Sequence, residues 1–290
     1  MDDQELIKVL ESVHKEGLNS ETVTQIKSFL KERLRQVDES NEEYSDLIAT
    51  AFQTLLKAYI CPIVIIYEDK DRRKIENASG VLMDINESLF LVTNKHVTDF
   101  YFNNENCIFK VGDLQIDLAT LLIDVNETLD LATISLSHDD LKSINVSCYK
   151  EPYRPQSGPL SNFSELVGEV VTVVGYPGVL RHDNMQESVL GFGAYSGPVS
   201  DVSEISITIP IDMDQVVKLF GEDDPELLRI RLGGFSGGGV FILKSDGEFH
   251  LVGIIKEDLG SFLYGLKATP SNMICKNGMI VTQYDLYNGR

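Results

Sequence analysis

The sequence predicts a mainly β protein: two antiparallel, roughly six-stranded β-barrels in tandem behind a small α-helical N-terminal region. Three observations carry this. Apolar stripes at helical spacing are confined to residues 1–58. From Tyr59 onward, short apolar runs separated by turn residues take over. No helical pattern of about ten residues alternates with them, which argues against parallel βαβ winding. A stretch rich in Pro, Ser and Asn at 151–164 then divides the runs into two groups of about six.

In the N-terminal region, Leu6, Val9, Leu10 and Val13 fall on one helical face, and Gly17 is a C-terminal stop. Ser20 caps a second helix with the stripe Val23, Ile26, Leu30, Leu34 and Val37. Ser40 followed by Glu43 forms a capping box for a third, running through Tyr44, Leu47, Ile48, Ala51, Phe52 and Leu55. Such helices serve either as a packing appendage or as a regulatory module on which a partner protein docks, and the sequence leaves both open.

Residues 59–290 form the second unit, with a first barrel at about 59–150, a surface linker at 151–164 and a second barrel at about 165–290. The first set of runs is Ile60–Tyr67, Gly80–Ile85, Leu89–Thr93, Cys107–Val111, Leu114–Leu118, Thr120–Asp124 and Ala132–Leu136. Asn86-Glu87-Ser88 is a tight hairpin connection. The second set is Glu169–Gly175, Ser188–Phe192, Ile205–Ile211, Val240–Leu243, Phe249–Ile255 and Phe262–Ala268. Ser271–Tyr284 closes the chain as a helix or a last strand.

Composition narrows the function classes. With 25 basic and 45 acidic residues the net charge is −20, so no basic field recruits nucleic acid or an anionic membrane. The N-terminus carries acids where a secretory signal carries bases, and the apolar run from Tyr59 to Tyr67 is too short to span a bilayer. The four cysteines are scattered without a CxxC pair, so neither a disulfide framework nor a metal site is expected. A cytoplasmic location and no cofactor follow as expectations.

The chemistry centres on Gly233-Gly234-Phe235-Ser236-Gly237-Gly238-Gly239, one serine among five glycines. A serine held on such a loop beside free backbone N–H groups is what acyl transfer requires: a nucleophile and an oxyanion site. By itself the cluster reads better as a flexible turn between strands, so the rest of the chain must supply a base and an acid. Of the five histidines, His96 alone directly follows a buried-looking strand, Leu89-Phe90-Leu91-Val92-Thr93, which gives a general base a rigid mount. Asp130 is an acid within the apolar run Leu129–Ile134, and a buried carboxylate needs a partner such as a histidine N–H.

The order His, Asp, Ser on these motifs resembles the chymotrypsin-like (trypsin-fold) serine peptidases, particularly the disulfide-free bacterial branch that includes the HtrA/Deg proteases. The stretches concerned are Leu91–Val97, Asp130-Leu131-Ala132, Val174-Gly175-Tyr176-Pro177, Gly234–Gly238 and Leu251–Ile255. The resemblance covers roughly residues 59–290 and implies a double β-barrel with the site in the crevice between barrels. It implies Ser236 as nucleophile, His96 as base, Asp130 as the group orienting the imidazole, and the N–H groups of Gly234 and Ser236 as the oxyanion hole. It further implies a protein or peptide substrate, a substrate cleft lined by Ile255 and Lys256, and a pocket floor near Ile230, between Arg229 and Arg231. That pocket is expected to favour small apolar or acidic side chains. Phe235 stands where secreted trypsins carry an aspartate that pairs with a newly cut N-terminus, so that activation route is expected to be absent. Phe235 is then left to shape the pocket or pack beneath it. No residues are expected for a PDZ domain.

Three other readings compete. The match to GxSxG as an α/β-hydrolase elbow fails because strand residues follow the serine and His250 is the sole downstream histidine. Gly191–Gly197 lacks the lysine and helix of a phosphate loop and reads as a hairpin. A catalytically silent trypsin-fold scaffold that binds protein is the alternative from a different class.

Overall fold

The computed structural model describes residues 1–34, 42–70, 72–146, 148–155, 163–183, 188–211, 233–259 and 265–281. Three helices lead the chain. In α1 (Asp3–Glu16) the Asp2 carboxylate accepts from the Glu5 N–H while Glu5 accepts from the Asp2 N–H. Asn19, not Ser20, caps α2 (Ser20–Arg33), because its side chain and that of Thr22 satisfy each other's backbone N–H groups. Helix α3 spans Glu42–Leu56; its expected cap Ser40, with Val37, lies outside the described residues.

The first sheet comprises β1 (Ile60–Asp69), β2 (Arg72–Ile85), β3 (Ser88–Thr93), β4 (Ile108–Val111), β5 (Leu114–Ile116), β6 (Leu122–Asn126) and β7 (Leu131–Ser135). Short helices α4 (Lys95–Asn103), α5 (Leu118–Leu121) and α6 (His138–Ile144) interrupt it. A hairpin of β9 (Arg181–Asp183) and β10 (Ser188–Leu190) stands apart from the second sheet. That sheet holds β8 (Val170–Gly175), β11 (Gly193–Pro198), β12 (Asp201–Ser203), β13 (Ser206–Pro210), β14 (Gly239–Leu243), β15 (Phe249–Asp258) and β16 (Gly265–Pro270). The strand orders are β5-β4-β1-β2-β3-β7-β6 and β11-β8-β14-β15-β16-β13-β12. Every named pairing is antiparallel, and each sheet curls into a half-barrel, giving the expected tandem architecture with seven strands per sheet rather than six.

Strand alternation explains why the runs read as continuously apolar. In β3, Leu89 and Leu91 face the interior of the first sheet, while Phe90 and Val92 face a shared central core. In β14, Val240 and Ile242 fill the second sheet and Phe241 the shared core. Both faces are buried, so period-2 polarity is lost. Ile85 pairs with Ser88 across Asn86 and Glu87 at φ +53° and +67°, a primed two-residue turn that matches strand twist.

The shared core also receives the helices. Leu6, Val23, Ile26, Phe29, Leu30, Phe52, Leu55 and Leu56 are buried there with Val81 and Phe90 of the first sheet and Val174 and Leu251 of the second. The end of α3 is tied in by Lys150, 1% exposed, whose Nζ donates to the Lys57 carbonyl at 2.7 Å and the Tyr176 hydroxyl at 2.8 Å. The apolar faces of the helices are thus spent within the fold.

Two expectations change. The start of the linker is structural: Tyr153 is buried, its N–H donates to the Leu82 carbonyl at 2.8 Å, and its hydroxyl accepts from the Leu251 N–H at 3.0 Å. It bridges the two sheets, and residues 156–162 lie outside the described set. After β16 the chain forms a single turn at Ser271–Met273 and an Ile274–Ile280 bridge, neither the expected helix nor a strand, with 282–290 outside the described residues.

Candidate active site

Strand β3 ends at Thr93, and the chain turns through buried Asn94 into α4, whose first turn carries His96. The histidine is therefore mounted on a helix start rather than on the strand itself. Asp130 sits on the turn before β7, in a left-handed conformation at φ +50°. Aspartate tolerates that region better than most residues. Its carboxylate grips His96 at two points: Oδ1 accepts the backbone N–H at 3.0 Å, and Oδ2 lies 2.7 Å from Nδ1. The Asn94 side-chain amide donates to the Asp130 carbonyl at 2.8 Å and fixes the turn from the other side. A carboxylate can only accept, so Nδ1 carries the proton and Nε2 is the basic nitrogen. Side-chain exposure is 50% for His96 and 24% for Asp130, so the acid is half-buried on a turn rather than sealed in an apolar strand.

The glycine-rich loop enters β14 and is held from both sheets. From the second sheet side, the Gly178 N–H donates to the Gly233 carbonyl, Gly237 N–H to the Ile255 carbonyl, and Ile255 N–H to the Gly238 carbonyl, each at 2.8 Å. From the first sheet, the Ser79 hydroxyl donates to the Gly234 carbonyl and the Ser79 N–H to the Ser236 carbonyl, each at 2.8 Å. Gly234 and Gly237 have φ +95° and +81°, open to glycine at little cost. A Cβ on Gly234 would lie 2.6 Å from the Asn77 amide nitrogen, and one on Gly237 would collide with the Ser79 carbonyl and the Thr93 hydroxyl. Gly237 therefore packs against Thr93, three positions before His96, which sets the glycine-rich loop against the end of β3. Among the described residues no hydrogen bond joins the Ser236 hydroxyl to His96; in unliganded sites such bonds are often long until substrate arrives. Neither the Gly234 nor the Ser236 N–H finds an acceptor among the described residues.

Phe235 is 6% exposed and packs in the core of the second sheet, beneath the loop. Glycines 175 and 193 leave room for its ring: a Cβ on either would come within 2.9 and 3.0 Å of it. Ile255 is likewise buried, and it meets the loop through its backbone. Lys256 occupies the irregularity between Ile255 and Glu257 in β15 and donates to the Ile205 carbonyl at 3.2 Å. Burial pulls its ammonium pKa down, opposed by the charges of Asp130 and Glu257. Ile230, Arg229 and Arg231 lie outside the described residues. All four cysteines are free, and no cluster that would hold a metal occurs among the described residues.

Sequence reasoning missed Ser79, Asn77 and Thr93. The Asn77 amide donates to the Tyr176 carbonyl at 2.7 Å, and Thr93 Oγ1 donates to the Ser79 carbonyl at 2.8 Å. The one visible signal is the small-residue step Ala78-Ser79-Gly80, where β2 passes from polar to apolar sequence.

No family model matches the chain, and no curated protein matches it. Among solved structures, the chain is similar to the Rv3671c protease from M. tuberculosis in its active form, at 15% identity and TM-score 0.39, over 74% of this chain and 78% of that one. It is also similar to an inactive form of Rv3671c from M. tuberculosis H37Rv carrying a serine-to-alanine mutation, at 14% identity and TM-score 0.38, over 75% and 83%.

Proposed function

We propose that the protein is a serine endopeptidase working through Ser236, His96 and Asp130. The observation that carries this reading is the two-point grip of Asp130 on His96, with the loop that holds Ser236 packed on Thr93, three positions before that histidine. In the proposed reaction the Ser236 oxygen bonds to the scissile carbonyl carbon as its proton passes to His96 Nε2. The carbonyl oxygen takes the negative charge against the Gly234 and Ser236 N–H groups. The carbon–nitrogen bond then breaks, and the amine leaves with the proton from His96. Water repeats the sequence on the acyl ester, with His96 first as base and then as acid, and frees Ser236. Asp130 stays ionised throughout and stabilises the imidazolium. The substrate is a protein or peptide, and the setting is regulated proteolysis inside the cell by an enzyme of the disulfide-free type.

Asp130→Asn tests this reading. An asparagine amide facing Nδ1 forces the proton onto Nε2, which then cannot accept from serine. Hydrolysis of a degenerate peptide library is expected to fall roughly 10⁴-fold with the fold intact. Cleavage at the wild-type rate, or no cleavage by the wild-type protein, would count against the proposal.

A further inference from the structure

Four successive carbonyls of the loop are each pinned. Gly233 accepts from the Gly178 N–H and Gly234 from the Ser79 hydroxyl, at 2.8 Å each. Phe235 accepts from the Gly238 N–H at 2.7 Å and Ser236 from the Ser79 N–H at 2.8 Å. In a planar trans peptide the N–H points opposite the carbonyl. Pinning carbonyls 233 and 235 therefore aims the N–H groups of Gly234 and Ser236, the two oxyanion donors. The carbonyls between and after them are held by one residue of the opposite sheet. Ser79 is fully buried, and its remaining capacity is also committed: its hydroxyl accepts the Tyr176 N–H, and its carbonyl accepts the Thr93 hydroxyl, at 2.8 Å each.

We infer that Ser79 is a positioning residue that, from the first sheet, holds the two peptides alternating with those that carry the oxyanion donors, and so fixes how the donor peptides sit relative to each other. With Phe235 anchored beneath, the described contacts of the loop are neutral hydrogen bonds and packing. The inference rests on the proposed peptidase reading for its catalytic meaning but not for its structural content.

Two measurements keep these apart. In the catalytically silent Ser236→Ala background, Ser79→Ala leaves the Gly234 carbonyl and Tyr176 N–H without partners. Amide hydrogen exchange across 233–239 is expected to rise about tenfold, with exchange in β3 and β7 unchanged. Unchanged loop exchange would overturn the inference whether or not the protein is an enzyme. In the otherwise wild-type protein, Ser79→Ala is expected to lower kcat roughly 10²-fold with KM within about threefold; a defect confined to KM would overturn the oxyanion role. Should Ser79→Ala not fold, Ser79→Cys keeps the shape while weakening the hydrogen bonds, and the same two readouts apply. If loop exchange rises but the parent protein cleaves nothing, the peptidase reading falls and the loop bracket stands.

Discussion

Ser236→Ala is expected to lower kcat for peptide hydrolysis on the order of 10⁶-fold while leaving KM and the unfolding midpoint close to wild type. The serine hydroxyl makes no hydrogen bond among the described residues, so its removal costs none of those that hold the loop. The loop is shaped by its backbone, through the Ser79, Gly178 and Ile255 bonds, and these survive the substitution. What disappears is the atom that forms the acyl ester. The residual rate reflects oxyanion donors and bound substrate acting on water. Steady-state kinetics beside urea unfolding separate the two effects. An alanine variant that keeps more than about one part in a hundred of the activity would contradict the role of Ser236.

Deleting residues 1–58 is expected to leave no cooperatively folded protein. Eight large apolar side chains leave the shared core with the helices: Leu6, Val23, Ile26, Phe29, Leu30, Phe52, Leu55 and Leu56. Each contributes about 1.5–3 kcal/mol by burial, against a whole-domain stability of about 5–15 kcal/mol. The truncation also removes the Lys57 carbonyl, one of the two acceptors the buried Lys150 ammonium has among the described residues, the other being the Tyr176 hydroxyl. Burying an undercompensated charge is costly in its own right. Circular dichroism during urea titration would read the outcome. A soluble 59–290 fragment with a sharp unfolding transition would show that the helices are dispensable.

Strands were legible in the sequence where both faces are buried, as in β3 and β14, and the flanking runs marked a hairpin at Asn86-Glu87-Ser88, of which Ser88 proves to pair with Ile85 and only Asn86-Glu87 form the turn. The polar half of β2, Arg72–Asn77, was not. It pairs with β1 throughout, yet its side chains face solvent or the opposite sheet, so no apolar run marks it. Gly191–Gly197 read as a hairpin, and Gly193–Pro198 covers most of that stretch. In the fold it is a strand whose glycines make room for Phe235 and the Tyr195 ring. The helix α4 was too short to stand out against β3, so His96 was placed on a strand end. The pairing of His96 with Asp130 was legible because residue type and order carry it. Ser79 was not, because its role consists of hydrogen bonds to distant backbone that no local pattern encodes.

The central claim, that Ser236 is an activated nucleophile beside His96, is tested most directly by treating the protein with a fluorophosphonate and mapping the adduct by peptide mass spectrometry. A single phosphonyl group on Ser236, absent from Ser236→Ala and slowed by Asp130→Asn, is the expected result. An intact Ser236 after prolonged treatment, or an adduct on another residue that persists in Ser236→Ala, would contradict it.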